Sequence, residues 1–188
     1  MRVWIVRHGE SQTNKEGKWT GQLDVELTDC GRAQAIRVGE RLVGVSFDKI
    51  YSSDLIRART TAELATSSCE YEIRSDLREI DVGRIAGVRF EDVSEEVRTA
   101  VLKSGYGAIG GEERDAFRTR VLSFMKMLEG EDCQNVAVFT HAGWLRQFLS
   151  LVVGEDISRA SFFCGNCATA VFEYENGRWR VHSWMNLL

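Results

Sequence analysis

The sequence predicts a three-layer α/β/α fold: a mostly parallel central sheet with one antiparallel edge strand, covered by helices on both faces. Three observations predict it. Short apolar runs within 2–7, 47–53, 71–74 and 135–140 are each bounded by polar residues, as strands buried on both faces should be. Helical patterns separate these runs, and strand–helix–strand repetition implies parallel pairing. Near the end, Glu175-Asn176-Gly177 interrupts an alternating apolar tail, a hairpin signal that adds the antiparallel edge.

The elements follow in order. Residues 2–7 form a buried strand that ends on Arg7-His8-Gly9, and 8–27 are polar and glycine-punctuated, hence a loop. A helix runs from Thr28 to about Val43, with Thr28 or Asp29 as its cap and Ala35, Ile36, Leu42 and Val43 inward. "FDKIYSS" is the next strand. Asp54 is expected to cap the helix after it, whose Leu55, Ala58, Ala62 and Ala65 share one face. After the strand at 71–74, residues 76–90 are irregular. Helices over about 91–103 and 112–129 flank a glycine-rich break, and "AGWLRQFLSLVVG" is a helix behind the strand at 135–140. With no internal repeat, linker or low-complexity segment, residues 1–188 read as one domain with a small cap insertion at about 87–111.

Composition narrows the function. The net charge of −4 speaks against a nucleic-acid partner, because affinity for a phosphate backbone rests on surplus Lys and Arg. No apolar run approaches 18 residues and no signal peptide opens the chain, so a cytoplasmic protein without a membrane partner is expected. The five cysteines contain a single C-x-x-C, Cys164 and Cys167, with no second pair to complete a zinc site. Reduced, mostly buried thiols are expected.

In open α/β sheets, ligands sit beyond the carboxyl ends of strands. Strand 2–7 delivers Arg7 and His8 to that rim, strand 135–140 delivers His141, and strand 47–53 runs into the helix that carries Arg57. Two histidines invite a metal, with His182 as a third ligand, but a cation next to Arg7 is electrostatically unfavourable. The arginines call instead for an oxyanion held bidentately, and a phosphoryl group fits their fork. Positive neighbours disfavour imidazolium, leaving His8 neutral and able to attack phosphorus. The arginines supply the charge stabilisation, so neither metal nor cofactor is called for. "GYGAIGG" at 105–111 matches the G-x-G-x-x-G dinucleotide fingerprint, but it follows a charged amphipathic helix where a buried strand is required. It reads as a turn between helices.

These residues sit in familiar blocks. "RHGESQTN" at 7–14, "GQLDVELTDCGRAQA" at 21–35, "YSSDLIRARTTAELA" at 51–65, "LREIDVGRIAG" at 77–87, "GGEERDAFRTRV" at 110–121 and "FTHAGWLRQFL" at 139–149 closely resemble the histidine phosphatase superfamily, phosphoglycerate-mutase-like branch. The match spans nearly the whole chain in order. The resemblance implies that His8 becomes phosphohistidine and that Arg7, Arg57, His141 and Asn14 bind the transferring phosphoryl group. It places Thr20, Gly21 and Gln22 beside the substrate. It makes Glu79 the group that protonates the leaving oxygen and then activates water. Ala142 stands where some relatives carry an acidic residue after the second histidine, which points to Glu79. Asp81 is the rival acid and Arg59 the rival arginine; Glu79 and Arg57 are the ones aligned with the motifs. His182 reads as structural.

Two departures touch substrate identity: "GRIAG" replaces the G-x-W-E-G usual after L-R-E, and "ELT" replaces P-L-T. The 87–111 cap is modest and lacks the arginine pair and E-R-x-Y block with which mutases hold a bisphosphorylated acid. Hydrolysis of a small phosphorylated metabolite is therefore expected, as in α-ribazole phosphatase or the broad-specificity phosphatases. Phosphoglycerate mutase activity is the alternative, and a non-catalytic phosphoester-binding module a third. A monomer and a homodimer both fit, because "RWRVHSWM" could be a covered strand or an exposed pairing edge.

Overall fold

The computed structural model describes residues 1–68, 70–155 and 162–186. In chain order they form β1 (Arg2–Arg7), α1 (Gln12–Lys15), α2 (Asp29–Leu42), β2 (Lys49–Ser53), α3 (Ile56–Thr66), β3 (Glu72–Arg74), α4 (Glu95–Ser104), α5 (Arg114–Glu129), β4 (Asn135–Thr140), α6 (Ala142–Val153), β5 (Thr169–Glu175) and β6 (Arg178–Met185). Six strands make one sheet in the order β3-β2-β4-β1-β5-β6. The first four of these run parallel, and β5 pairs antiparallel with β1 and with β6. The β5–β6 turn has Asn176 and Gly177 at φ 51° and 75°, the left-handed pair that a tight hairpin demands.

Helices cover both faces. Phe117, Val121, Phe124 and Leu128 of α5 pack with Trp144, Leu145 and Phe148 of α6 against Val3, Ile5, Val136 and Val138 of the sheet. On the other face Val38 and Leu42 of α2 and Ala62 and Ala65 of α3 meet Val6, Ala137 and Phe139. Alternate strand residues thus feed opposite cores, which is why β1 and β4 read as continuous apolar runs. A smaller cluster, Val82, Ile85, Val93 and Ile109, joins the segment after Glu79 to the 87–111 region.

Two local expectations need correction. Asp54 does not cap α3: it forms an ion pair with Arg78 at 2.6 Å, and the amide of Ile56 is met by Asp24 Oδ1 at 2.7 Å. Ile36 and Val43 are not inward but 49% and 81% exposed, and Val38 takes the buried place between Ala35 and Leu42. As expected, the 105–111 stretch is a turn between α4 and α5, a short 3-10 turn at Tyr106–Ile109, against whose end Gly111 nestles: a Cβ there would meet Asp81 O and Gly83 N. Thr28 caps α2 as expected, its Oγ1 accepting the Gly31 amide at 3.0 Å. Cys164 and Cys167 are buried, Cys133 half-buried and Cys30 exposed, and all four are free; Cys69 lies outside the described residues. No helix among the described residues is long and apolar enough to cross a membrane.

Candidate active site

Strand register builds the site. Arg7 of β1 lies beside Thr140 of β4, and Ser52 of β2 beside Phe139. The residues that follow, His8, His141 and Ser53, therefore leave one rim side by side. The His8 amide donates to Thr140 O at 2.9 Å, and the two imidazoles lie 5.1 Å apart between centroids. A cavity of about 290 Å³ opens over this rim, lined by Arg7, His8, Asn14, Thr20, Gly21, Arg57 and Glu79 and by the aromatic rings of Trp19, Phe90, Tyr106, Phe162 and Phe163. It suits a small ligand.

His8 is buried, and its Nδ1 lies 2.7 Å from the Gly9 carbonyl. A carbonyl can only accept, so Nδ1 carries the proton and Nε2 keeps its lone pair. Burial first, then the charges of Arg57 and Arg7, hold its pKa well below the usual histidine value. The ring is therefore neutral at neutral pH. Gly9 fits because a Cβ would strike the Gly31 carbonyl, where the loop after β1 rests on the start of α2.

The arginines are held in place by backbone. Arg57, fully buried, donates from Nη1 to Leu23 O at 2.6 Å, from Nη2 to Gly21 O at 2.8 Å and from Nε to His8 Nε2 at 3.3 Å. Burial draws its pKa down to about 10, which leaves it cationic at neutral pH. Arg7 Nη1 donates to Cys164 O at 2.6 Å and Nη2 to Asn14 Oδ1 at 3.5 Å. Asn14 Oδ1 also accepts from the Ser11 amide at 3.3 Å and from Asn166 Nδ2 at 3.0 Å. With its oxygen so occupied, Asn14 has its amide nitrogen left to offer a ligand. The Thr20 hydroxyl meets that of Thr13 at 2.6 Å.

Glu79 sits on the start of α6. Its Oε2 accepts the Gly143 amide at 2.9 Å, and its Oε1 accepts the Ile80 amide at 3.0 Å. Arg120, paired with Glu112 at 2.8 Å, fixes the backbone here through the carbonyls of Asp76, Arg78 and Glu79. Asp81 lies outside the cavity and accepts from the Gly83 amide. Arg59 is turned to Tyr71, and His182 is exposed on β6.

Gln22 does not line the cavity wall. Its Nε2 donates to Glu79 O at 3.1 Å and its Oε1 accepts from Arg78, so it holds the Glu79 segment to the 21–23 loop. His141 is likewise absent from the cavity wall, fully buried with its ring beside that of His8.

Sequence reasoning missed Ser53, whose Oγ is 2.9 Å from His141 Nε2. It also missed Asn166, Gly143 and Arg146. Gly143 lay inside the T-H-A-G block and could have been suspected there. The anchoring carbonyls of Gly21, Leu23 and Cys164 leave no side-chain signal at all.

The comparisons with known proteins agree with this geometry. The description of the Histidine phosphatase superfamily (branch 1) matches residues 3–187. The chain is 31% identical over 194 residues to "Probable phosphoglycerate mutase GpmB" of Salmonella choleraesuis, covering 98% of this chain and 90% of that protein. Among solved structures it resembles a phosphoglycerate mutase from Thermus thermophilus (TM-score 0.76, 33% identity, 100% and 99% of the two chains). It also resembles a phosphoserine phosphatase from Entamoeba histolytica, solved with phosphoserine (TM-score 0.83, 26% identity, 97% and 95%). With a neutral, arginine-flanked histidine at the tip of β1 and these relatives along its whole length, the chain belongs to the histidine phosphatase superfamily and is an enzyme of phosphatase or mutase type, moving phosphoryl groups through histidine.

Proposed function

We propose that the chain hydrolyses a small phosphomonoester in two steps, as one catalytic domain whose 87–111 segment forms a modest cap. His8 Nε2 attacks phosphorus, the P–O bond to the substrate alcohol breaks, and the leaving oxygen takes a proton from Glu79. Water, deprotonated by Glu79, then attacks the phosphohistidine and releases phosphate with His8 restored. Arg7, Arg57, His141 and Asn14 bind the phosphoryl oxygens, where the two guanidinium charges and the neutral N–H donors oppose the charge that builds in the transition state. Thr20 and Gly21 border the substrate, and Gln22 supports the Glu79 segment from beside it.

The observation that carries this reading is the state of His8. Its proton is committed to the Gly9 carbonyl and its lone pair is flanked by two arginines. Water as the acceptor is supported by the cap. Arg89 and Arg98 donate to the carbonyls of Glu16, Phe90, Glu91 and Val93, and neither they nor Lys103 line the cavity, so the cap offers it no cation for a second phosphate. Arg146 on the cavity wall is what keeps the mutase reading in play.

Incubation with a phosphomonoester followed by rapid denaturation should trap an acid-labile phosphohistidine at His8. His8→Ala should release no phosphate from p-nitrophenyl phosphate. A panel of phosphosugars, phosphoglycerates, phosphoserine, nucleotides and α-ribazole phosphate, run beside a mutase assay primed with 2,3-bisphosphoglycerate, separates the two activities. Wild type and His8→Ala equally inert across the panel would leave only a binding module.

A further inference from the structure

We propose that Ser53 is a positioning residue that fixes His141 as its Nδ1–H tautomer and so aims a hydrogen-bond donor at the transferring phosphoryl group. This rests on the phosphoryl reading of the cavity.

The argument is one of donors and acceptors. Ser53 Oγ accepts the Leu55 amide at 3.4 Å and lies 2.9 Å from His141 Nε2. Among the described residues Nε2 is the only acceptor within reach of the Ser53 hydroxyl proton. If that proton points to Nε2, both ends of the Ser53 hydroxyl are satisfied, and the imidazole proton must reside on Nδ1. The other tautomer, donating from Nε2, would strand the Ser53 proton in a fully buried place. His141 is neutral in either case, since burial first and Arg57 next hold its pKa well below the usual value.

Nδ1 is buried and has no partner, although His141 is fully enclosed. A buried donor left unpaired is costly, and such atoms call for a function. The imidazole lies against His8, where the phosphoryl group would be carried. An Nδ1–H there donates to a phosphoryl oxygen; an Nδ1 lone pair would repel it. Ser53 thus plays for His141 the part that the Gly9 carbonyl plays for His8. The two anchors choose opposite tasks for the two rings: a bare nitrogen on His8, a donor on His141.

Proton-coupled 15N NMR of histidine-labelled enzyme at pH 7.5 tests the first half without any ligand or turnover. Wild type should show His141 with a protonated Nδ1 and a bare Nε2. Ser53→Ala should lose that preference, and Ser53→Thr, which keeps the hydroxyl, should restore it. In kinetics Ser53→Ala should lower kcat about 10-fold or more with KM changed less than about 3-fold, and weaken vanadate inhibition in step. Thermal unfolding of the Thr variant guards against loss by misfolding. A wild-type His141 protonated on Nε2, or a Ser53→Ala enzyme with unchanged tautomer, overturns the proposal. If the tautomers behave as stated yet vanadate leaves the Nδ1–H resonance unmoved and no ester is turned over, the donor role falls together with the phosphoryl reading, and only the structural tie survives.

Discussion

The amide of Gly143 donates to Glu79 Oε2 at 2.9 Å, and a Cβ on Gly143 would overlap Glu79 Oε1. The carboxyl proposed as the acid–base group therefore rests on the first turn of α6, one residue beyond His141 and Ala142, and only glycine leaves room for it. Gly143→Ala should push the carboxyl off its seat while leaving the helix intact, since alanine suits a first turn. A displacement of this kind costs about 10-fold to 100-fold in kcat. Glu79→Gln should cost about 10²–10⁴-fold. In kcat/KM, which stops at the first phosphoryl transfer, both losses should be large for alkyl phosphates, whose leaving oxygen needs a proton, and small for p-nitrophenyl phosphate, whose leaving group does not; the later water step that Glu79 also serves shows only in kcat. Equal losses in kcat/KM on both substrates would remove Glu79 from the role of proton donor.

What the sequence disclosed follows a physical line. His8, Arg7, His141 and Arg57 were readable because each stands at or just after the end of an apolar run, where a costly side chain must have a use. Parallel pairing then brings those ends to one rim. The contacts made across long stretches of chain were not readable. Asp54 carries a good local capping signal, yet Asp24, thirty residues earlier, reaches the Ile56 amide and frees Asp54 for Arg78. Ser53 reads as one more strand residue until β4 is laid beside it. Gln22 belonged to the right loop, but its amide turned out to tie that loop to the Glu79 carbonyl. Ile36 fell on the wrong side because an outward Ile and an inward Val two positions on are indistinguishable without knowing where α3 lies.

The two buried histidines should make stability fall on mild acidification. Both have pKa values depressed in the folded state, by burial first and then by Arg57. Below about pH 6.5 the unfolded chain takes up protons that the folded chain refuses, so the unfolded state gains. Stability present above pH 6.5 is then lost at about 1.4 kcal/mol per pH unit for each histidine, until the folded values are reached. Urea unfolding between pH 7.5 and 5 should show this slope, in a window above the ordinary carboxylate range. His8→Asn should roughly halve it. A flat profile over that window would mean that His8 and His141 titrate in the fold as they do in the unfolded chain, and a rise on acidification that they are already charged there.

Arg146 offers a last test, of what the substrate carries besides its phosphate. It projects from the second turn of α6, half-buried on the cavity wall, with no hydrogen bond or ion pair among the described residues. The other outer cation, Lys18, is already paired with Glu16 at 2.6 Å. A guanidinium free at the edge of a phosphoryl site is ready to accept a carboxylate, and a hydrogen bond to a charged group is worth about 1.5–3 kcal/mol. Arg146→Met should therefore lower kcat/KM for phosphoserine about 10-fold to 100-fold more than for phosphoethanolamine, which differs only in lacking the carboxylate. The effect should sit in KM, because the carboxylate is bound equally in ground and transition states. Equal losses for the two esters would assign Arg146 to the electrostatics of the phosphoryl site itself, where its positive field also reaches the buried Cys164.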